Sequence, residues 1–346
     1  MFVGVCGGLC AGKNSVATYL VEKHNFTEIT LTRPASTPAI EKSASDATIP
    51  PPTLYNVIHF NDVSALLDYV TLHWQTNFVT TSIWDEPVLT ELQRRPFFIL
   101  VSVDAPISTR WQRFRDRCAV ARKTPPTLEQ FVLRNDEHLY DARAGLAALQ
   151  SRAQIRLLNA STSLPELYKA LDAIDLPDPA RIRPTWDMYF MTLASLAARR
   201  SNCMRRPVGC VVVREKRVIS TGYNGTPRSV TNCNEGGCPR CNSNAAGGAG
   251  LNTCLCLHAE ENALLEAGRD RIGGGAVLYC DTCPCLTCSV KIIQVGISEV
   301  VYSKGYHMDS ASAAMFKEAG VKLRQFSPPP EGLINLSNLV MPDATE

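Results

Sequence analysis

Three ligand-type side chains and one carboxylate carry the first chemical signal. His258 and Glu260 stand two apart in His258-Ala259-Glu260, and Cys285 and Cys288 stand three apart in Pro284-Cys285-Leu286-Thr287-Cys288. Cysteines at i and i+3 of a helix start turn their sulfurs to one point. His258 supplies a third, borderline-soft ligand. A zinc ion held by three protein ligands keeps its fourth tetrahedral position open for water, which separates catalytic from structural sites. Such an ion lowers the pKa of its water toward neutrality. Glu260 is placed as a proton shuttle and not as a ligand. The spacing therefore predicts metal-assisted hydrolysis. A closed structural site is the rival reading, and it has no need of Glu260 or of an open position.

The flanking residues must position these groups. Ala259 to Ala267 (AEENALLEA) is strong helix-forming sequence with Gly268 as its stop, so His258 opens a helix. Gly275 to Cys280 (GAVLYC) reads as a strand, and Pro284 is a start signal for a second helix, Cys285 to Gln294. Both ligand sets then lie at helix N-termini, where the dipole favours thiolate over thiol.

The chain has 346 residues, which suggests two domains. A hydrophobic share of 45% and a charged share of 20% describe an ordinary globular protein. A formal charge of +2 gives no electrostatic case for binding long nucleic acid. No apolar run reaches the length of a membrane span, and MFVGVCGGLC lacks the charged region of a signal peptide, so a cytoplasmic or nuclear protein is expected. Of 14 cysteines only Cys6, Cys10 and Cys118 precede residue 203, and the other eleven lie between Cys203 and Cys288. In a reducing compartment such clustering points to metal more than to disulfides. It also marks the second half as a separate domain.

The N-terminal part has its own signal. Gly7-Gly8-Leu9-Cys10-Ala11-Gly12-Lys13 has the spacing G-x-x-x-x-G-K between an apolar strand, Phe2 to Cys6, and a helical pattern from Val16. That is the context of a phosphate-binding loop, with backbone N–H groups curled round phosphate and Lys13 as its counter-charge. Asn14 stands where a magnesium-binding Ser/Thr is expected, and Ser15 comes one place late. After the strand Phe97 to Val103, Asp104-Ala105-Pro106 leads into Arg110, Arg113, Arg115 and Arg117. This stretch resembles small P-loop kinases such as dephospho-CoA kinase over residues 1–176. The displaced magnesium ligand favours a degenerate kinase-like domain, and the arginines then read as a solvated helix face.

Arg33 to Thr53 is rich in Pro, Ser, Thr and Ala and reads as a disordered insertion. Ile155 to Asn159 and Leu164 to Ile174 read as the last strand and helix of this domain, with Ser163 as N-cap. Leu176-Pro177-Asp178-Pro179 marks the boundary. Then come a helix at Thr185 to Arg199 and a hairpin, Val208 to Arg214 and Arg217 to Tyr223, turning at Glu215-Lys216. After the two ligand-bearing helices, Val300 to Tyr302 and Val321 to Phe326 read as strands and Ser312 to Glu318 as a helix. The order predicts an α/β/α domain on a mixed sheet at 183–326. Residues 327–346 begin Ser-Pro-Pro-Pro and read as a tail.

By these residues the second domain resembles the deoxycytidylate (dCMP) deaminases of the cytidine deaminase-like superfamily. His258-Ala259-Glu260 with Asn262-Ala263 matches H-A-E-x-N-A, and H-x-E with P-C-x-x-C is the zinc deaminase signature. Gly222-Tyr223-Asn224-Gly225-Thr226-Pro227 resembles the family's G-Y-N-G-x-P loop. Trp186-Asp187 with Tyr189-Phe190-Met191 is similar to its opening helix, and Ser201-Asn202-Cys203 to the loop that follows. A P-loop-like domain fused in front resembles the fungal members. The resemblance implies zinc-dependent deamination of dCMP to dUMP for thymidylate synthesis, activation by dCTP, inhibition by dTTP and a hexamer. It implies nucleotide contacts from the loop of Asn224 and Gly225 and a cover over the base from Tyr306, and Lys304 or Arg269 is a candidate for the phosphate. Asn224 also reads as a plain turn residue, and the two cations as surface charges.

A second zinc, structural and closed by four cysteines, is expected from Cys203, Cys233, Cys238, Cys241, Cys254 and Cys256. Cys203, Cys233, Cys238 and Cys241 are the first choice, with Cys254 or Cys256 as substitutes. Two rivals stay open: a deaminase of another nucleotide or base on the same zinc core, and a nucleotide sensor without catalysis.

Overall fold

The computed structural model describes residues 1–33, 57–142, 145–243, 250–305, 309–329 and 332–339. The expected insertion from residue 34 on, and Tyr306, lie outside the described residues. The chain divides into two compact units, Met1–Arg183 joined by the C-terminal segment, and Pro184–Pro329.

The first unit begins β1 (Phe2–Gly7), α1 (Lys13–His24), β2 (Thr27–Leu31), β3 (Ile58–Phe60), α2 (Val63–Leu72), β4 (Phe78–Thr80), α3 (Glu86–Leu92) and β5 (Phe98–Asp104). It continues α4 (Ile107–Val120), α5 (Leu128–Tyr140), α6 (Leu146–Ser151), β6 (Ile155–Leu158) and α7 (Leu164–Ile174). All its strand pairs run parallel. Alternation along β1 and β5 explains the two-sided core. Val3, Val5, Ile99 and Val101 face one cluster with α1 and α7, whereas Phe2, Cys6, Phe98 and Leu100 face another with α2 and α3. Parallel sheets are covered on both faces, so their strands read as nearly continuous apolar runs.

The second unit holds α8 (Trp186–Ala198), β7 (Gly209–Arg214), β8 (Arg217–Tyr223), α9 (Ala259–Ala267), β9 (Val277–Thr282), α10 (Leu286–Gln294), β10 (Glu299–Lys304), α11 (Asp309–Glu318) and β11 (Lys322–Gln325). Its sheet runs β11-β10-β9-β7-β8, with β8, β7 and β9 antiparallel and β9, β10 and β11 parallel. Cys210, Val212, Leu278 and Val300 meet α9 and α10 on one face, whereas Val211, Val213, Tyr279 and Val301 meet α8 on the other. This is a three-layer sandwich on a mixed sheet.

Within residues 327–346, read from the sequence as a tail, residues 333–339 belong to the first unit. Leu333–Asn335 forms β12, which pairs in parallel with β6 and gives the first sheet the order β12-β6-β5-β1-β4-β2-β3. Leu336 is fully buried in the first unit's core. An edge strand leaves unpaired backbone groups, and β12 satisfies those of β6. Of the arginines after β5, Arg115 and Arg117 are exposed as a solvated face requires, whereas Arg110 and Arg113 are not. Arg110 is buried, donating to Ala105 O at 2.8 Å and Asn135 Oδ1 at 2.6 Å. Arg113 is half-buried and donates to Ala11 O at 3.1 Å and Ser161 O at 2.8 Å.

Candidate metal centre and active site

The metal trio is assembled by two helix starts. His258 is the N-cap of α9 and Cys285 the N-cap of α10. The His258 N–H donates to Glu261 Oε2 at 2.9 Å, and Glu261 pairs with Lys291 of α10. The two helix starts are thereby tied side by side. His258 Nδ1 lies 3.4 Å from Cys285 Sγ and 3.3 Å from Cys288 Sγ. Zn–N near 2.0–2.1 Å and Zn–S near 2.3 Å on tetrahedral angles put these atoms about 3.5 Å apart. The donor set therefore fits zinc.

The two thiols differ. Hydrogen bonding from Cys288, with help from His258, pulls Cys285 down to about 4. The Cys285 sulfur and burial push Cys288 up, and Cys285 also raises the His258 imidazole. The trio thus shares protons that a divalent cation replaces, since metal ligands must be deprotonated. Glu260, in the first turn of α9, is buried, and burial pushes its carboxyl up.

The loop after β8 closes one side. Gly225 forms a two-way backbone bridge with Leu257, beside His258, with N···O distances of 3.2 and 2.9 Å. A Cβ on Gly225 would strike Asn202 Oδ1, and one on Gly222 would strike Ala259 O, so only glycine allows this approach. Asn224 is buried and serves as a hub: Oδ1 accepts from Ser201 Oγ at 2.7 Å and Val208 N at 2.8 Å, and Nδ2 donates to Arg206 O at 2.7 Å. Lys304 ends β10 in register with Thr282, and its carbonyl accepts from Cys283 N at 2.9 Å, beside the loop that carries Cys285. Arg269 is not brought here. It lies past the far end of α9 from His258, a helix length of roughly 14 Å away at 1.5 Å per residue.

The six cysteines expected to hold a second zinc form one cluster, with Cys233, Cys238, Cys241 and Cys256 buried and Cys203 and Cys254 partly buried. The expected foursome is redrawn. Cys203, Cys233, Cys241 and Cys256 bring their sulfurs within 4.8 Å of one another, and so do Cys238, Cys241, Cys254 and Cys256. Cys238 therefore leaves the set of Cys203 and Cys233, because the one-turn helix Pro239–Asn242 points Cys238 and Cys241 toward Cys254. Sequence reasoning missed Ser201, which donates to both Asn224 O and Asn224 Oδ1. It also missed Asn262, whose Nδ2 donates to Tyr223 O at 2.9 Å. Both stand inside the quoted motifs, but nothing in their spacing reveals a role.

With this geometry in view the relatives become informative. The sequence profile of the cytidine and deoxycytidylate deaminase zinc-binding region matches residues 184–304. A deoxycytidylate deaminase of Schizosaccharomyces pombe is 48% identical over 329 residues, covering 94% of this chain and 98% of its own. The chain belongs to the deoxycytidylate deaminases. The Saccharomyces cerevisiae deoxycytidylate deaminase is 48% identical over 282 residues, 78% of this chain and 87% of its own. That of Mycobacterium phage D29 is 46% identical over 127 residues, 35% of this chain and 97% of its own. The similarity to the fission yeast deaminase thus takes in the first unit as well as the catalytic one. Among the described residues no helix is long and apolar enough to cross a membrane.

Proposed function

We infer that this deaminase converts dCMP and water to dUMP and ammonia. The observation that carries the reading is the trio of His258 Nδ1, Cys285 Sγ and Cys288 Sγ beside buried Glu260, in a chain 48% identical to a deoxycytidylate deaminase over nearly its whole length. His258, Cys285 and Cys288 would hold a zinc ion, which would acidify a water molecule near neutral pH. Glu260 accepts the water's proton and delivers it to N3 of the pyrimidine. It then takes the proton of the new C4 hydroxyl and passes it to the amino group, which departs as ammonia, so the carboxylate acts in turn as base and acid. Its burial suits this alternation, because a desolvated carboxyl holds a proton more readily than an exposed one. Asn224 and Gly225 fix the loop against which the nucleotide is held, and Lys304 meets its phosphate. Tyr306, over the base, belongs to the same proposal.

The finer readings rest on the family resemblance: dCTP as activator, dTTP as inhibitor, a hexamer, dUMP supplied to thymidylate synthesis, and a cytoplasmic setting. All fourteen cysteines are unbridged, which suits a reducing compartment. The first unit is read as P-loop kinase-like and without phosphoryl transfer. A cavity of about 300 Å³ lies over Gly12 and Lys13, bordered by Arg33, Trp84 and Arg117. Its described lining has cations and no carboxylate, so it suits an anion and offers no carboxylate base. Gly7 ends β1 at the entry to the loop.

Ammonia release from dCMP, CMP, cytidine and tRNA, with zinc measured on the same sample, tests the reading. Turnover of dCMP above the others is expected. Inert dCMP beside a reactive alternative overturns it.

A further inference from the structure

We propose that the six-cysteine cluster holds two zinc ions bridged by the sulfurs of Cys241 and Cys256. The two four-sulfur groups are not alternatives drawn from one pool. They share Cys241 and Cys256, and each adds a private pair, Cys203 with Cys233 on one side and Cys238 with Cys254 on the other. Two tetrahedra joined along an edge have this composition: four terminal ligands and two shared.

The distances agree. Sulfurs on one tetrahedral zinc at roughly 2.3 Å stand about 3.8 Å apart. Here Cys203–Cys241 is 3.8 Å, Cys238–Cys254 3.9 Å, Cys241–Cys254 3.6 Å and Cys241–Cys256 3.9 Å. Disulfide sulfurs stand near 2.05 Å, so these contacts are not bridges formed by oxidation. A single ion satisfies four sulfurs and strands the other two. Filling the first group leaves Cys238 and Cys254, and filling the second leaves Cys203 and Cys233.

The surroundings are matched on both sides. Met204 N donates to Cys233 Sγ at 3.4 Å, and Leu255 N donates to Cys238 Sγ at 3.4 Å. Each tetrahedron thus has a terminal sulfur with a backbone N–H, the outer partner that a thiolate ligand takes. Neither donor goes to a shared sulfur. The cluster also acts on the active site by position. Cys203 N donates to Ser201 Oγ at 3.2 Å, and Ser201 holds Asn224. Cys256 precedes Leu257 and His258, and Leu257 bridges Gly225. Both chain segments that frame the nucleotide loop leave from this cluster.

Elemental analysis of the full chain reads the count. Three zinc ions per chain are expected, and two in His258→Ala, which empties only the active-site trio. Two ions in the parent and one in His258→Ala overturn the proposal, as does an intact mass lowered by disulfide formation. The second measurement needs no variant. In cadmium-113 protein three resonances are expected, two of them split by each other through the bridging sulfurs. Resonances without mutual splitting overturn the shared-sulfur arrangement even if the count is three.

Discussion

Each unit places its signal residues at a strand–loop–helix junction, β1 into α1 in the first and β9 into α10 in the second. The junctions are alike in outline and opposite in chemistry. At residues 7–13 the neighbouring elements serve the loop itself. Arg113 and Asn159 bind the carbonyls of Cys10 and Ala11 and hold the loop's shape. At Cys285 the neighbours supply what the loop lacks: α9 adds an imidazole 3.4 Å away and a buried carboxylate. Helix N-termini attract anions in both places, so the dipole alone does not separate them. Reaction chemistry depends on which side chains the next element aims into the gap.

The largest test of that contrast is Glu260→Gln. It keeps the shape and the metal trio but cannot take a proton. Turnover of dCMP should fall on the order of 10²–10⁴-fold, with zinc content unchanged. Turnover within threefold of the parent would move the proton transfer elsewhere.

Arg113→Ala probes the other junction. The guanidinium donates to the carbonyls of Cys10, Ala11, Asn159 and Ser161. Hydrogen bonds from charged groups contribute roughly 1.5–3 kcal/mol, so a loss of about 2–3 kcal/mol in unfolding of the first unit is expected. Hydrogen exchange read by peptide should show the loss in β1 and α1, with kcat per folded chain unchanged. Faster exchange in α9 instead would show that the two junctions are not independent.

What the sequence disclosed follows the same contrast. His258, Glu260, Cys285 and Cys288 were legible because each pair is local and its spacing alone turns it to one point. The sheets were legible from alternation in β7 and β8 and apolar runs in β1 and β5. The partners of the six cysteines were not, because loops at 201–206, 233–241 and 254–256 must meet before any sulfur has a neighbour. β12 was hidden for a similar reason. Three residues after a proline run show no period, and their partner β6 lies far back in the chain. Asn224 looked like a turn residue or a nucleotide contact, and its three internal bonds are set by segments it does not adjoin.

Asp187 stands between these cases: it was legible as a family residue but not as a lock. It accepts from Tyr279 OH at 2.9 Å and takes both Arg324 nitrogens at 2.7 and 3.0 Å, joining α8 to β9 and β11. The Arg324 guanidinium, helped by the Tyr279 hydroxyl, holds its carboxyl below the usual aspartate value of 3.8. A lowered carboxyl adds stability that is complete above the unfolded value and is lost as pH falls through the folded one. Asp187→Asn should therefore cost about 1–2 kcal/mol at pH 7, a gap that narrows below about pH 4. Denaturant midpoints across pH check the sign, and a gap that widens in acid would rule out the ion pair as its source. The first unit should show no such pH-linked change.

The smallest expected effect lies in the hairpin, an element found among the described residues in the second unit and not between the parallel strands of the first, which a two-residue turn cannot join. Glu215 and Lys216 carry φ of 50° and 61° between β7 and β8. Two successive positive φ values form the type I′ turn that suits strand twist and that Asn-Gly fills most readily. An ordinary side chain in this region costs about 1–2 kcal/mol, whereas glycine bears little of that and loses some chain entropy instead. Glu215→Asn with Lys216→Gly should therefore raise stability by about 1 kcal/mol, read as a higher denaturant midpoint with kcat unchanged. A lower midpoint would mean that Lys216, which lies over the Trp186 ring at 5.5 Å, contributes more than its backbone costs. In that case the contact between the turn and α8, and not the turn geometry, would be what selects this residue pair.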